Sequence, residues 1–208
     1  MRIAVAGGGP AGLYFAISMK LRDARHDVVV FERNRVDDTF GWGVVLSEET
    51  LGNLAANDRA SAEAIRADFA YWDDIAVVRG ENRIVSTGHG FCGIGRQRLL
   101  TILQARACRL GVRLCFESAI DVAPLMAAHD LVIAADGINS RARTAFPAAF
   151  RPEIDVRPNK FIWLGTRQKF DDAFTFIFEM TEHGCLWAHA YQFDANTATF
   201  IIECTPAT

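Results

Sequence analysis

The sequence predicts an α/β protein, with a parallel sheet flanked by helices and a second, antiparallel sheet. Three observations carry that prediction. Met1 to Arg33 reads as strand, glycine-rich turn, helix and strand. Asp130 to Ala135 is a wholly apolar strand suited to a central parallel position. From Phe161 onward, strand follows strand across short turns.

Arg2-Ile3-Ala4-Val5-Ala6 forms the first buried strand and leads into Gly7-Gly8-Gly9-Pro10-Ala11-Gly12, then into a helical stretch, Leu13 to Leu21. Asp27 to Phe31 is the second strand, and Glu32 ends it. Strand, G-x-G-x-x-G, helix, strand and acid in that order are the pattern of a dinucleotide site. Gly7 permits the tight turn, Gly9 lets the backbone approach a pyrophosphate, and Gly12 lets helix and strand pack closely. The helix N-terminus offers N–H groups and the positive end of its dipole to phosphate. Glu32 can accept hydrogen bonds from a ribose hydroxyl. A glycine-rich turn without a ligand is the competing reading; the flanking strands, helix and acid weigh against it.

A loop from Arg33 to Phe40 precedes Gly41-Trp42-Gly43-Val44-Val45-Leu46-Ser47, a glycine-flanked apolar turn. Ser47 is the N-cap of a helix over Glu48 to Asn57, with two acids in its first turn. Ala60 to Phe69 is helical, and Ile75 to Val78 with Arg83 to Ser86 forms a hairpin about Gly80-Glu81-Asn82. Arg96 to Leu110 is an amphipathic helix that Gly111 ends, and Val112 to Phe116 alternates as a half-buried strand. After the Asp130 to Ala135 strand, Asp136-Gly137-Ile138-Asn139-Ser140-Arg141-Ala142-Arg143 turns into a short helix. A connector, Phe146 to Pro158, leads to strands at Phe161–Thr166, Ala173–Met180, Cys185–Phe193 and Thr197–Glu203. Trp187, His189, Tyr191 and Phe193 alternate onto one face. Rings with an imidazole and a phenol suit an aromatic substrate with a polar handle, and equally suit aromatic packing. His89, between two glycines, is a loop histidine or a neighbour of the same pocket.

Composition narrows the function. The chain has 208 residues, half of them apolar, and a net charge of −3, which is ordinary for a soluble globular protein and unlike a nucleic-acid binder. No apolar run reaches the roughly 18 residues of a membrane span. The sequence begins at once with a strand, so no leader is expected. Cys92, Cys108, Cys115, Cys185 and Cys204 are scattered, as reduced thiols of a cytoplasmic protein would be. No C-x-x-C or H-E-x-x-H is present, so no metal is expected.

Taken together, Gly7-x-Gly9-x-x-Gly12, the Gly41 to Leu46 segment, Arg96-x-x-Leu99-x-x-x-Leu103 and Asp136-Gly137-x-x-Ser140-x-x-Arg143 resemble, in this order, the FAD-dependent aromatic hydroxylases of the para-hydroxybenzoate hydroxylase type. Phe40 to Ser47, Tyr71 to Ile75 and Gly88 to Arg96 are similar to the branch acting on aryl-CoA thioesters such as salicylyl-CoA and anthraniloyl-CoA. The resemblance implies a Rossmann-like, three-layer FAD-binding domain from residues 1–73 and 92–150, and an antiparallel substrate-binding sheet from 74–91 and 151–208. It implies FAD, with NAD(P)H as co-substrate and O2 consumed through a flavin C4a-hydroperoxide. Gly7, Gly9, Pro10, Ala11 and Gly12 would hold the pyrophosphate, and Glu32 with Arg33 the adenosine side. Gly43, Val44, Val45 and Leu46 would lie near the flavin ring, Arg96 on its phosphate or ribitol side, and Asp136 with Gly137 near FAD and the visiting nicotinamide. His189 and Tyr191 are the substrate candidates, no catalytic residue is nominated, and Lys160, Arg167 and Lys169 are candidates for a CoA tail.

The family's third FAD motif, a G-D-A-A-H-like segment, is not found before Thr208. The expectation is an N-terminal part completed by a fused or associated C-terminal segment, or a homo-oligomer built at the open sheet edge. Two alternatives stand beside a monooxygenase: a non-catalytic FAD- or nucleotide-binding module, and a flavin reductase on the same fold. Substrate-stimulated NAD(P)H oxidation favours the first reading, binding without turnover the second, and turnover without O2 the third.

Overall fold

The computed structural model of the chain describes residues 1–170 and 173–208. Its elements are β1 (Arg2–Ala6), α1 (Pro10–Arg22), β2 (Asp27–Phe31), β3 (Gly43–Ser47), α2 (Glu48–Asn57), α3 (Arg59–Arg66), β4 (Ala70–Trp72), β5 (Asp74–Arg79), β6 (Asn82–Ser86), β7 (Phe91–Gly95) and α4 (Arg96–Arg109). They continue as β8 (Arg113–Cys115), α5 (Val122–Ala128), β9 (Leu131–Ala134), α6 (Arg141–Ala145), α7 (Pro147–Phe150), β10 (Lys160–Thr166), β11 (Ala173–Thr181), β12 (Gly184–Gln192) and β13 (Ala198–Cys204). Two compact units result, Met1–Asp38 with Leu99–Ile154, and Thr39–Arg98 with Asp155–Thr208. Compactness thus groups residues 39–73 and 92–98 with the antiparallel strands; the division expected from sequence was by cofactor role instead.

In the first unit the sheet order is β8-β2-β1-β9, and every pair is parallel. Alternation along β1 sends Ile3 and Val5 to one face and Ala4 and Ala6 to the other. On the first face α1 buries Leu13, Ala16 and Ile17, and Gly12 lies against Val5 Cγ1. On the second, Leu125 of α5 packs on Ala4, Ala6 and Val29, with Phe31, Ile120 and Val132 around them. Helix, sheet and helix make three layers, and each fully buried Val or Ile contributes about 1.5–3 kcal/mol. The central place expected for Asp130–Ala135 is corrected: β9 is an edge strand among the described residues, with Ala134 exposed. Its apolar run reports side chains covered on its faces, which does not require neighbours on both edges.

The second unit holds a six-stranded sheet, β10-β13-β12-β11-β5-β6, and a three-stranded sheet, β3-β7-β4. The larger sheet is mixed, not wholly antiparallel: β5 pairs with β11 in parallel, Asp74 opposite Ala173. Only hairpin neighbours are forced to be antiparallel, and β5 and β11 are far apart in the chain. Gly43–Ser47, expected as part of a turn, is strand β3, in register with β7 from Gly43 opposite Gly95 to Ser47 opposite Phe91. Ser47 caps α2 as expected, accepting from the Thr50 N–H at 3.3 Å.

Candidate functional site

The β1–α1 turn is built by crowding at two glycines and space at the third. Gly7 has φ +112°, and a Cβ there would stand 2.2 Å from the Ala135 carbonyl oxygen. A Cβ on Gly12 would stand 2.0 Å from the Gly7 carbonyl oxygen. Gly9 has no described atom beyond its chain neighbours within 4 Å of where its Cβ would be. It is also the N-cap of α1, without a side-chain oxygen, and Pro10 follows with no N–H to satisfy. The free N–H groups of the first turn therefore face open space beside Gly9, where a phosphate can approach.

Glu32 braces this turn, and Asp136 stands beside it. Glu32 Oε2 accepts from the Gly8 N–H at 2.7 Å, and Oε1 accepts from the Asn34 N–H at 2.9 Å and its side-chain amide at 2.7 Å. A carboxylate has lone pairs left for a ribose hydroxyl after these bonds. Arg33 beside it is exposed. Asp136 follows the Ala135 that crowds Gly7, so the two separated motifs meet at one place. Burial pushes the Asp136 carboxyl up, but hydrogen bonds from Ser140 and the N–H groups of Ala142 and Arg141 outweigh it and hold it below the usual range. Gly137, at φ +84°, has open space around it. The turn, Glu32 and Asp136 fit a dinucleotide.

In the second unit Gly43 is fully enclosed. Its N–H donates to Thr199 Oγ1 at 3.0 Å, and its carbonyl accepts from the Tyr191 hydroxyl at 2.8 Å. A Cβ on it would stand 2.6 Å from the Phe193 ring. The flanking segment interlocks with β10, Gly41 beneath Trp163 and Gly165 beneath Trp42. Val44, Val45 and Leu46 follow as a half-buried apolar strip. Arg96 begins α4, its N–H donating to the Trp42 carbonyl at 2.7 Å. Its guanidinium Nε is shut from water with no hydrogen-bond partner among the described residues.

The expected aromatic face is present. Phe174 stacks on His189 at 5.7 Å and on Tyr191 at 5.2 Å, Trp187 lies 6.2 Å from His189, and Tyr191 stacks on Trp72 at 5.8 Å. Phe91 joins Phe174 to His89, whose Nε2 lies 2.8 Å from Ser86 Oγ. His189 Nδ1 is buried without a partner, and burial pushes its pKa down, opposed in part by the charge of Glu203. Tyr191, proposed from sequence as a substrate contact, has its hydroxyl bonded to Gly43. A separate cleft of about 730 Å³ is lined by Ala67–Trp72, Lys169, Phe170, Ala173, Gln192, Asp194 and Ala195. Sequence reasoning missed Thr199, Asn34, Phe174 and Phe176; the last two carry a visible F-x-F alternation, whereas Thr199 becomes visible only in register with Tyr191.

The fold is that of an α/β protein with a helix-flanked parallel sheet and an attached mixed sheet. No protein-family model matches the chain. It is 43% identical over 204 residues to salicyloyl-CoA 5-hydroxylase of a Streptomyces species, covering 98% of this chain and 39% of that protein. It is 34% identical over 213 residues to protodeoxyviolaceinate monooxygenase of Chromobacterium violaceum, covering 100% of this chain and 56% of that one. The tetrameric form of 2-methyl-3-hydroxypyridine-5-carboxylic acid oxygenase shares the fold, with a TM-score of 0.82, 21% identity, and coverage of 99% of this chain and 59% of that one. In sequence the chain is similar to these two monooxygenases and in fold to this oxygenase, and it spans roughly two fifths to three fifths of the length of these relatives.

Proposed function

We propose that this chain is part of an FAD- and NAD(P)H-dependent monooxygenase that hydroxylates the ring of an aryl-CoA thioester, of the salicyloyl-CoA or 2-aminobenzoyl-CoA kind. The observation that carries this reading is the 43% identity to salicyloyl-CoA 5-hydroxylase along 98% of the chain. Bound FAD would supply the oxygen-transfer chemistry, which side chains alone cannot perform.

The protein's own residues bind, orient and exclude water. Gly7, Gly9, Pro10, Ala11 and Gly12 cradle the pyrophosphate, Glu32 and Arg33 take the adenosine side, and Asp136 with Gly137 borders the same turn. Val44, Val45 and Leu46, set by Gly43, offer an apolar strip to the flavin ring, and Arg96 supplies a guanidinium whose Nε has no partner among the described residues. The half-buried rings around His189 hold an aromatic substrate and keep water away. His189, kept neutral by burial, has one nitrogen free to meet a phenol or amine on that ring. Lys169 lines the 730 Å³ cleft and is our candidate for the thioester tail. Five free cysteines suit the cytoplasm, and a homo-oligomer or the rest of a longer chain would complete the assembly.

The test is an absorbance spectrum, then NADH or NADPH oxidation with and without each aryl-CoA, with mass spectrometry of the product. A yellow protein whose oxidation rises with aryl-CoA, and a product heavier by one oxygen atom, are expected. Flavin binding without turnover would replace this reading with a nucleotide-binding module, and turnover indifferent to O2 with a reductase.

A further inference from the structure

Strand β3 lies at the edge of its three-stranded sheet and, among the described residues, has only β7 as a ladder partner. The Trp42 carbonyl faces β7, where it accepts from the Arg96 N–H, so by strand alternation Gly43 turns its N–H and C=O the other way. A buried backbone pair facing outward needs partners. Two side chains supply them: Thr199 Oγ1 accepts from the N–H, and the Tyr191 hydroxyl donates to the C=O. Thr199 and Tyr191 are opposite each other across β12 and β13, both buried, so one cross-strand pair grips a single residue. The Phe193 ring closes the side where a Cβ would point.

We propose that Tyr191 and Thr199 are a positioning pair, which fixes Gly43 and through it the placement of the Val44–Leu46 strip that meets the flavin ring. Tyr191 then acts through Gly43 and not by touching substrate. The role in placing the flavin rests on the proposed function above, whereas the grip on Gly43 is independent of it.

The variants are Tyr191→Phe and Thr199→Val, each of which removes one of the two bonds, with Thr199→Ser retaining the hydroxyl. The first readout is amide hydrogen exchange without cofactor. Both disruptive variants are expected to raise exchange of residues 43–47 about tenfold and leave residues 2–6 and 27–31 unchanged, whereas Thr199→Ser exchanges as the wild type does. The second readout is the visible flavin spectrum, expected to shift in Tyr191→Phe and Thr199→Val, with kcat falling while KM for the aromatic substrate stays within about twofold. Unchanged exchange at 43–47 overturns the positioning pair, even in a protein that holds flavin. Faster exchange in a wild-type background that binds no FAD leaves the grip standing and removes the proposed function instead. A raised KM with unchanged kcat and spectrum in Tyr191→Phe would overturn the assignment in favour of direct substrate contact.

Discussion

Two sets of glycines, one in each unit, meet different kinds of neighbour. In the first, Gly7 and Gly12 are crowded by backbone, from Ala135 and from Gly7 itself. In the second, Gly41, Gly43 and Gly165 are crowded by the rings of Trp163, Phe193 and Trp42. Backbone cannot step aside, whereas a ring at the end of a side chain can turn. The first arrangement makes a rigid cradle and the second a packed seam, and their sensitivity to substitution should differ accordingly.

The largest effect is expected from Gly7→Ala, where a clash with the Ala135 carbonyl adds to an unfavourable φ. A loss of about 3 kcal/mol is expected in urea unfolding. Gly43→Ala should cost about 2 kcal/mol, since Gly43 lacks the positive φ of Gly7 although Phe193 Cβ would stand 2.7 Å from the new methyl; equal losses at both positions would erase the distinction between cradle and seam. Smaller still is the pH effect of His189. Burial lowers its pKa below the ordinary 6.5. The unfolded chain therefore takes up a proton as pH falls through 6.5 while the folded chain stays neutral, so stability present above that pH declines below it. His189→Gln should flatten the fall in thermal midpoint between about pH 7 and pH 5. Last, the Cys92 thiol is pushed up to about 11 by burial, whereas Cys108 is exposed. Alkylation at about pH 8 should label Cys108 well before Cys92, and the reverse order would show that the β3–β7 seam opens readily.

The same contrast explains what the sequence could disclose. Residues from Arg2 to Glu32 are readable because the partners that shape the turn are mostly near neighbours in the chain: Gly8 meets Glu32, and Gly12 meets Gly7. The link to Asp136 is not local, yet the D-G segment announces itself by following an apolar strand. Gly41–Ser47 reads as a turn from its glycines alone. Its strand character depends on β7, and its fixation on Thr199 and Tyr191, more than 140 residues away. Nothing in local periodicity marks such partners. The alternation of Trp187, His189 and Tyr191 matches rings in contact with one another or with Phe174, whereas Phe193 packs on Gly43 and the Tyr191 hydroxyl is bonded there too. Likewise, β9 has the apolar run of a central strand while standing at an edge, because hydropathy records covered faces and not strand neighbours.

The central claim is that the open cradle at Gly9 receives the pyrophosphate of FAD. It is tested most directly by titrating FAD into the wild-type protein and Gly9→Val, with urea unfolding of both. Because no described atom outside its chain neighbours stands within 4 Å of a Cβ at Gly9, the account predicts stability lowered by no more than about 1 kcal/mol through the poorer N-cap, FAD bound by the wild type, and affinity lower by at least about tenfold, or 1.4 kcal/mol, in the variant. Equal FAD affinity in two folded proteins, or a folded wild type that takes up no FAD, would contradict it.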